Sequence, residues 1–218
     1  EKIMDDLMEG SFGNAGQSCC SVERIYVHRD IHDRFVDSFT DAARKIEMGH
    51  PIEDKPFFGP LVSAAAAARV NGLVEDAVAK GARQLLPTGK SPLAKPGSAY
   101  VEPQVLVNVD HGMAVMKEET FGPVIPIMAV DSDEEAVALM NDSDYGLTAA
   151  VWTQDTDRGL ELGRQLESGM FYLNRCDHAD MYLPWGGVKK SGIGRSYCEK
   201  GLEELVVPRS YHLRTLAE

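Results

Sequence analysis

Two adjacent cysteines, Cys19 and Cys20, follow a glycine-containing stretch, FGNAGQS, near the start of the chain. A cysteine is an effective nucleophile when an exposed, electropositive turn stabilises its thiolate. Gly16 permits a close approach of the backbone to a substrate, and the backbone N–H groups of such a turn can point at a developing oxyanion. These residues therefore indicate either a thiol nucleophile or, as the simpler alternative, two small buried cysteines.

The composition argues against several classes of protein. The 218 residues are 44% hydrophobic and 26% charged, as in an ordinary globular protein with a substantial core. Because 22 Lys and Arg stand against 34 Asp and Glu, the formal charge is -12, which argues against binding to nucleic acid or to an anionic membrane surface. There is no apolar run long enough to span a bilayer and no signal-peptide pattern. Four cysteines in a chain of this length do not suggest a disulfide framework, so we expect a reducing, cytoplasmic compartment.

The elements that must position the cysteines alternate along the chain from Arg24 onward. We predict strands in RIYVH, RQLLP, YVEPQVLVNV, PVIPIMAVD, LTAAVWTQD and MFYLN, and helices in HDRFVDSFTDAARKIEMG, AAAAARVNGLVEDAVAKG, SDEEAVALMN and TDRGLELGRQLESG. Ser63 is the predicted N-cap of the second helix, and Ser132 with Glu135 forms a capping box. The first residues predict a further amphipathic helix that Gly10 would end. This alternation predicts an α/β domain with a largely parallel sheet.

Four segments together resemble the motifs of the aldehyde dehydrogenase superfamily. FGNAGQSCC resembles its active-site signature, in which an aromatic residue, an Asn and a Gly-Gln pair precede the catalytic Cys. KEETFGPV at residues 117–124 resembles the cofactor-contact motif, LPWGGVKKSGIGR at 183–195 the Pro-aromatic-Gly-Gly segment, and KGLEELVVPRSYHL at 200–213 the closing helix turn and C-terminal strand. The resemblance implies a three-layer α/β sandwich with a mostly parallel sheet. It divides the chain into a catalytic domain, residues 1–202, and an oligomerisation segment with a strand, residues 203–218.

The resemblance also implies roles for single residues. Cys19, the second residue after Gln17, matches the catalytic nucleophile that attacks an aldehyde. Glu119 matches the residue that binds the hydroxyls of the nicotinamide ribose, and Phe121 matches a ring packed near the nicotinamide, so the implied cofactor is NAD or NADP. From the residues alone, Glu119 could equally be a solvated charge and Phe121 a core ring. No metal is expected, because Cys19 and Cys20 lack the spacing of zinc ligands.

The substrate implied by the resemblance is a small-molecule aldehyde held beside the thiol. Residues 174–184, NRCDHADMYLP, match the variable substrate loop of the family. Arg175 and His178 of this loop would favour an anionic aldehyde, whereas Tyr182 and the following Trp185 would favour an aromatic or aliphatic one. The residues predicted to bind the substrate are Ser18, Cys20, Asp177, His178 and Trp185.

The sequence contains only part of the machinery of this family. In the family a dinucleotide-binding domain, an oxyanion-stabilising Asn and a general-base Glu precede the catalytic Cys, whereas 18 residues precede Cys19. We therefore expect the catalytic part of an NAD(P)-dependent aldehyde dehydrogenase, which oxidises an aldehyde to a carboxylic acid through a Cys19 thiohemiacetal and thioester. The chain alone is expected to be inactive as a dehydrogenase. The enzyme is expected to be a homodimer or homotetramer.

Three alternatives remain open at the level of the sequence. A CoA-acylating aldehyde dehydrogenase would pass the acyl group to coenzyme A instead of water. A cofactor-independent cysteine hydrolase would pair the thiol with His and Asn partners, although the Cys-Cys-Ser sequence lacks the Cys-Trp of papain-like sites. A non-catalytic half-protein would keep only the dimerising surface.

Overall fold

A four-stranded sheet lies at the centre of the fold in the computed structural model, which describes residues 2–216. Its strands are β1 (Ile25–His28), β2 (Arg83–Gln84), β3 (Gln104–Val107) and β4 (Val124–Val130), in the spatial order β1-β4-β3-β2. β4 pairs in parallel with β1 and with β3, whereas β2 pairs antiparallel with β3. Val, Ile and Leu dominate the central strands, as is typical of strands buried on both faces.

Further strands form two smaller sheets. They are β5 (Tyr145–Gly146), β6 (Thr148–Val151), β7 (Met170–Leu173) and β8 (Val188–Lys189). β6 and β7 pair in parallel, and β5 and β8 pair antiparallel. Because the longer strands pair in parallel and are connected through helices, the predicted α/β fold with a mostly parallel sheet is confirmed.

The helices are α1 (Lys2–Phe12), α2 (Arg29–Ala43), α3 (Ala64–Ala79), α4 (Asp133–Asn141), α5 (Thr156–Gly163) and α6 (Cys198–Glu203). The helices α2 to α5 begin directly after residues whose side chains cap them. The Oγ atom of Ser63 accepts from the N–H of Ala66 at 3.1 Å, which confirms the predicted cap of α3. At α4, the Oγ atom of Ser132 accepts from the N–H of Glu135 at 3.1 Å. None of these helices in residues 2–216 is both long and apolar enough to cross a membrane.

The hydrophobic core joins α1, α2 and α3 to the central sheet. Phe12 of α1 and Phe39 of α2 are fully buried, with ring centroids 6.0 Å apart. Val70 of α3 and Ile127 of β4 are fully buried in the same cluster. Each such side chain contributes about 1.5–3 kcal/mol through burial. The buried Phe12 therefore fixes the point at which the chain leaves α1 and approaches Cys19.

The prediction that Gly10 ends the first helix is wrong, because α1 continues to Phe12. A Cβ atom at position 10 would lie 2.5 Å from the Sγ atom of Cys176. This glycine therefore permits close packing of a distant loop on the helix. A glycine pattern alone does not distinguish this use from a helix stop, since both require the missing side chain.

The C-terminal part of the chain forms no strand within the described residues. α6 ends at Glu203, and residues 204–216 are exposed and lack regular secondary structure. A strand needs hydrogen bonds from a neighbouring strand. The strand predicted for residues 203–218 therefore stays a prediction about an assembly of chains. Residues 1, 217 and 218 lie outside the described residues.

Candidate active site

A strained turn leads from α1 to the two cysteines; we call residues 13–19 the thiol turn. Asn14 (φ 51°), Ala15 (φ 59°) and Gly16 (φ 70°) adopt left-handed backbone conformations in succession. Such a conformation costs a residue with a side chain free energy on the order of 1–3 kcal/mol. The turn therefore persists only because surrounding contacts hold it.

The Gln17 side chain supplies several of these contacts. Its Nε2 atom donates to the carbonyl O of Asn14 at 3.0 Å, and the Nδ2 atom of Asn14 donates back to the carbonyl O of Gln17 at 3.1 Å. Its Oε1 atom accepts from the N–H of Val62 at 2.8 Å, in the segment that precedes α3. Gln17 thus closes the turn on itself and ties it to a distant part of the chain.

The two adjacent cysteines have different environments. Cys19 is exposed, whereas Cys20 is half-buried. The Cys20 thiol donates to the Oδ1 atom of Asp177 at 2.6 Å, and its Sγ atom lies 3.3 Å from the Oγ atom of Ser18. Burial, and next the hydrogen bond to the Asp177 carboxylate, raise the pKa of Cys20 to about 12. Cys20 is therefore a protonated thiol at neutral pH, and Cys19 is the accessible thiol of the pair.

The substrate loop, residues 174–184, contacts Cys20, the residue that follows the thiol turn. Asp177 of the loop accepts the hydrogen bond from Cys20. The hydroxyl of Tyr172, in β7, donates to the main-chain O of His178. The His178 side chain itself is exposed. The structure thus brings Ser18, Cys20 and Asp177 together, while their contact with a substrate stays a prediction.

Trp185 lies in a glycine-rich region beyond the substrate loop. Its backbone pairs with that of Ser196, its N–H donating to the Ser196 carbonyl at 2.8 Å. Its half-buried side chain helps to line a cavity of about 420 Å³ together with Arg195 and Glu204. Within residues 2–216, Trp185 makes no hydrogen bond to the thiol turn, so its predicted role in substrate binding stays a prediction.

The cofactor loop, residues 117–124, touches the thiol turn through the backbone. A Cβ atom at Gly16 would lie 2.4 Å from the carbonyl O of Gly122, so only glycine permits this approach. The side chains of Glu119 and Phe121 are both exposed on this loop, and Phe121 has a left-handed backbone with φ of 49°. The structure therefore brings the predicted cofactor residues and the thiol turn into one region.

Glu119 and Phe121 have the chemistry that a nicotinamide riboside requires. An ionised carboxylate accepts hydrogen bonds from ribose hydroxyls, and an exposed aromatic ring offers a flat apolar surface to a second ring. These exposed side chains therefore fit NAD or NADP. Within residues 2–216, no three His, Cys, Asp or Glu side chains converge as a metal site would require.

Two charged residues that sequence reasoning missed hold the cofactor loop. The Glu23 carboxylate accepts from the N–H of Thr120 at 2.7 Å and from the N–H of Phe121 at 3.2 Å. The Arg69 guanidinium donates to the carbonyl O of Glu119 at 3.1 Å and to that of Thr120. Burial raises the pKa of Glu23, while its backbone donors act in the opposite direction.

The sequence carries little signal for this pair. Glu23 stands two positions before β1, and Arg69 follows a run of alanines in α3. Both positions are ordinary for solvated charges, and the two residues lie far apart in the chain. Only the fold brings them to opposite sides of one loop.

Known proteins resemble this chain along nearly all of its length. A sequence model described as "Aldehyde dehydrogenase family" matches residues 1–210. Succinate-semialdehyde dehydrogenase [NADP(+)] 1 of Schizosaccharomyces pombe is 38% identical over 216 residues, which are 99% of this chain. The crystal structure of betaine aldehyde dehydrogenase from Staphylococcus aureus in complex with NAD+ superposes with a TM-score of 0.88 at 32% identity over 94% of this chain. Lactaldehyde dehydrogenase from Escherichia coli superposes with a TM-score of 0.86 at 38% identity over 93% of this chain.

The matches cover less than half of each relative. The chain spans 43% of the S. pombe protein, 41% of the S. aureus structure and 42% of the E. coli structure. The shared part includes the thiol turn and the cofactor loop, since the family match extends over residues 1–210.

Proposed function

The chain belongs to the aldehyde dehydrogenase family, and we propose that it forms the catalytic part of an NAD(P)-dependent aldehyde dehydrogenase with Cys19 as the nucleophile. One observation carries this proposal: the exposed Cys19 ends a strained turn that lies in backbone contact with the loop bearing Glu119 and Phe121. The neighbouring Cys20 supports the assignment, because its hydrogen bond to Asp177 favours the protonated thiol.

In this proposal the Cys19 thiolate attacks the carbonyl carbon of an aldehyde and forms a thiohemiacetal. The new oxyanion accepts hydrogen bonds from backbone N–H groups at the thiol turn. Glu119 binds the ribose hydroxyls of the cofactor, and Phe121 packs beside its nicotinamide. NAD(P)+, when bound, supplies the electron acceptor that no side chain provides.

The second half of the reaction releases the acid. Oxidation of the thiohemiacetal leaves an acyl group on Cys19 as a thioester, and a water activated by a general base hydrolyses it. We propose that the base and an oxyanion-stabilising amide come from sequence outside these 218 residues. On that proposal the chain alone cleaves an activated ester but does not oxidise an aldehyde.

We propose a small anionic aldehyde as substrate. Arg175 and His178 are exposed on the substrate loop, which Asp177 ties to the residue after Cys19. A guanidinium is suited to a carboxylate or sulfonate on the far end of such an aldehyde. The S. pombe relative is named for succinate semialdehyde, which carries a carboxylate. The exposed Tyr182 supports the competing choice of an aromatic or aliphatic aldehyde.

We also propose that chains associate through residues 204–216, as a homodimer or homotetramer. This segment exposes Leu205, Val207, Tyr211 and Leu213. These residues stand at alternate positions, the spacing that a strand needs to place apolar side chains on one face. Pairing with a strand of a second chain would cover them.

The experiment that tests the function assays the chain, Cys19→Ala and Cys198→Ala with an activated ester and with a panel of anionic and neutral aldehydes plus NAD+ or NADP+. Ester cleavage lost only in Cys19→Ala, without NAD(P)H formation, is the expected result. Repeated turnover of an aldehyde to NAD(P)H by the chain alone would overturn the claim that the base lies elsewhere. Ester cleavage that survives Cys19→Ala would overturn the nucleophile. Steady-state ester cleavage that becomes faster when coenzyme A is added as acyl acceptor would favour the CoA-acylating alternative.

A further inference from the structure

We propose that Glu23 and Arg69 form a two-sided clamp that positions the cofactor loop, and that Glu23 ties this loop to the segment between the thiol turn and β1. Both are positioning residues, because they act through the backbone of the loop. The expected effect on cofactor binding rests on the proposed function, whereas the clamp itself rests only on the hydrogen bonds of Glu23 and Arg69.

The clamp grips two successive peptide units from both sides. In the unit between Glu119 and Thr120, the carbonyl accepts from Arg69 and the N–H donates to Glu23. In the next unit, between Thr120 and Phe121, the carbonyl again accepts from Arg69 and the N–H again donates to Glu23. An anion faces both donors and a cation faces both acceptors, so every hydrogen bond is charge-assisted.

The cofactor loop needs such a clamp because its backbone is strained at Phe121, the residue predicted to face the cofactor. Phe121 adopts φ of 49° while its side chain is 37% exposed, so core packing does not hold the ring in place. The Thr120 side chain, by contrast, is buried. Hydrogen bonds to both flanking peptide units are therefore what fixes the backbone from which Glu119 and Phe121 project.

Glu23 also connects the loop to the nucleophile. It lies four residues after Cys19, between the thiol turn and β1. The Gly16–Gly122 contact joins the same two segments a second time. Movement of the thiol turn relative to the cofactor loop would break either a charge-assisted hydrogen bond or this close backbone contact.

A conservative substitution of either Glu23 or Arg69 would not preserve these hydrogen bonds. A glutamine at position 23 would offer one acceptor and would turn an N–H group toward a backbone N–H. A lysine at position 69 would lack the rigid fork with which Arg69 reaches two carbonyls. Glu23→Gln and Arg69→Lys are therefore nearly isosteric tests of the clamp.

The test compares Glu23→Gln and Arg69→Lys with Glu75→Gln, an exposed site on α3 away from the loop. In the chain itself, amide exchange at Thr120 and Phe121 should speed up by about tenfold or more in the clamp variants and stay unchanged in Glu75→Gln. The alkylation rate of Cys19 should stay within about twofold in every variant, because the thiol turn remains folded.

For the kinetic measurement, the wild-type and variant chains are each joined to an upstream dinucleotide-binding half. The KM for NAD(P)+ should rise on the order of tenfold in the clamp variants, with ester hydrolysis unchanged. Unchanged exchange at Thr120 and Phe121 would overturn the clamp. Faster exchange with an unchanged KM would overturn its positioning role. Equal losses of alkylation, ester hydrolysis and cofactor use would show a merely structural role. An inert Cys19 in the wild-type chain would instead defeat the proposed function, and the exchange data would still decide the clamp.

Discussion

The thiol turn and the C-terminal segment differ in what holds them. The thiol turn is strained but fixed by contacts within the chain, from the Gln17 side chain and the backbone of Gly122. Residues 204–216 are exposed and carry apolar side chains without regular structure. The comparison teaches that the thiol turn is held by contacts within one chain, whereas residues 204–216, which we propose for assembly, have no regular structure in one chain.

The largest expected effect comes from removing Cys19, the nucleophile that we propose. Cys19→Ala should lower the rate of ester cleavage by more than about a thousandfold, because no second accessible thiolate replaces it. Cys198→Ala serves as the control, since it removes a half-buried thiol outside the thiol turn. Stopped-flow or steady-state ester assays measure both. Similar rates in Cys19→Ala and the wild type would contradict the assignment.

The next effect concerns the strain of the thiol turn. Gly16→Ala would place a Cβ atom 2.4 Å from the carbonyl O of Gly122 at φ of 70°. We expect a loss of about 2–4 kcal/mol in the free energy of unfolding, measured by urea denaturation. Gly72→Ala is the matched control, because no atom lies within 4 Å of its Cβ position in α3. It should stabilise the chain by about 0.5–1 kcal/mol. Equal effects of the two substitutions would contradict the account of the turn.

A third prediction separates the two cysteines further. Burial is the largest cause of the raised pKa of Cys20, which is about 12 in the wild type, and the hydrogen bond to the Asp177 carboxylate is the next largest. Asp177→Asn removes this carboxylate. The pKa of Cys20 should therefore fall toward its ordinary value. Iodoacetamide labelling followed by tandem mass spectrometry should detect alkylated Cys20 at a lower pH in the variant. An unchanged pH profile of Cys20 labelling would show that Asp177 does not keep this thiol protonated.

The buried acid of the clamp gives a pH-dependent effect on stability. Burial raises the pKa of Glu23 above its ordinary value of 4.5. A carboxyl of this kind favours the folded state at low pH, and this contribution is lost as the pH rises through its folded pKa. Glu23→Gln removes this titration. The unfolding free energy of the variant minus that of the wild type should therefore increase as the pH rises from about 4 to about 8.

Chemical denaturation across this pH range measures the shift. Glu75→Gln, an exposed acid on α3, should show no comparable trend. A shift in the opposite direction would mean that the hydrogen bonds from Thr120 and Phe121 outweigh the burial of Glu23.

The smallest effect on the folded chain belongs to the C-terminal segment. Val207→Asp and Leu213→Asp change side chains that are 92% and 85% exposed, so the unfolding free energy should stay within about 0.5 kcal/mol of wild type. Self-association, measured by analytical ultracentrifugation, should be lost. Ile52→Asp, at another exposed apolar site, should leave association intact. Association that persists in both C-terminal variants would assign the interface to another surface.

The sequence was sufficient to predict the longer strands, the helices α1 to α5 apart from the end of α1, and the thiol turn, but not the short strands β5 and β8 or the contacts between distant segments. The caps at Ser63 and Ser132 follow from local chemistry, and both are present. Gly10 was misjudged because its partner, Cys176, is remote in the chain. Glu23 and Arg69 were missed for the same reason. Local patterns report on the neighbouring turn, whereas a clamp exists only once the fold has brought its two sides together.

The most direct test of the central claim is to identify the atom that carries the acyl group. The chain would be mixed with an activated ester, quenched in acid during turnover, and the peptide containing Cys19 and Cys20 sequenced by tandem mass spectrometry. We predict one acyl group on Cys19 and none on Cys20, whose thiol is held by Asp177. An acyl group on Cys20, or on neither cysteine while the ester is being cleaved, would contradict the account.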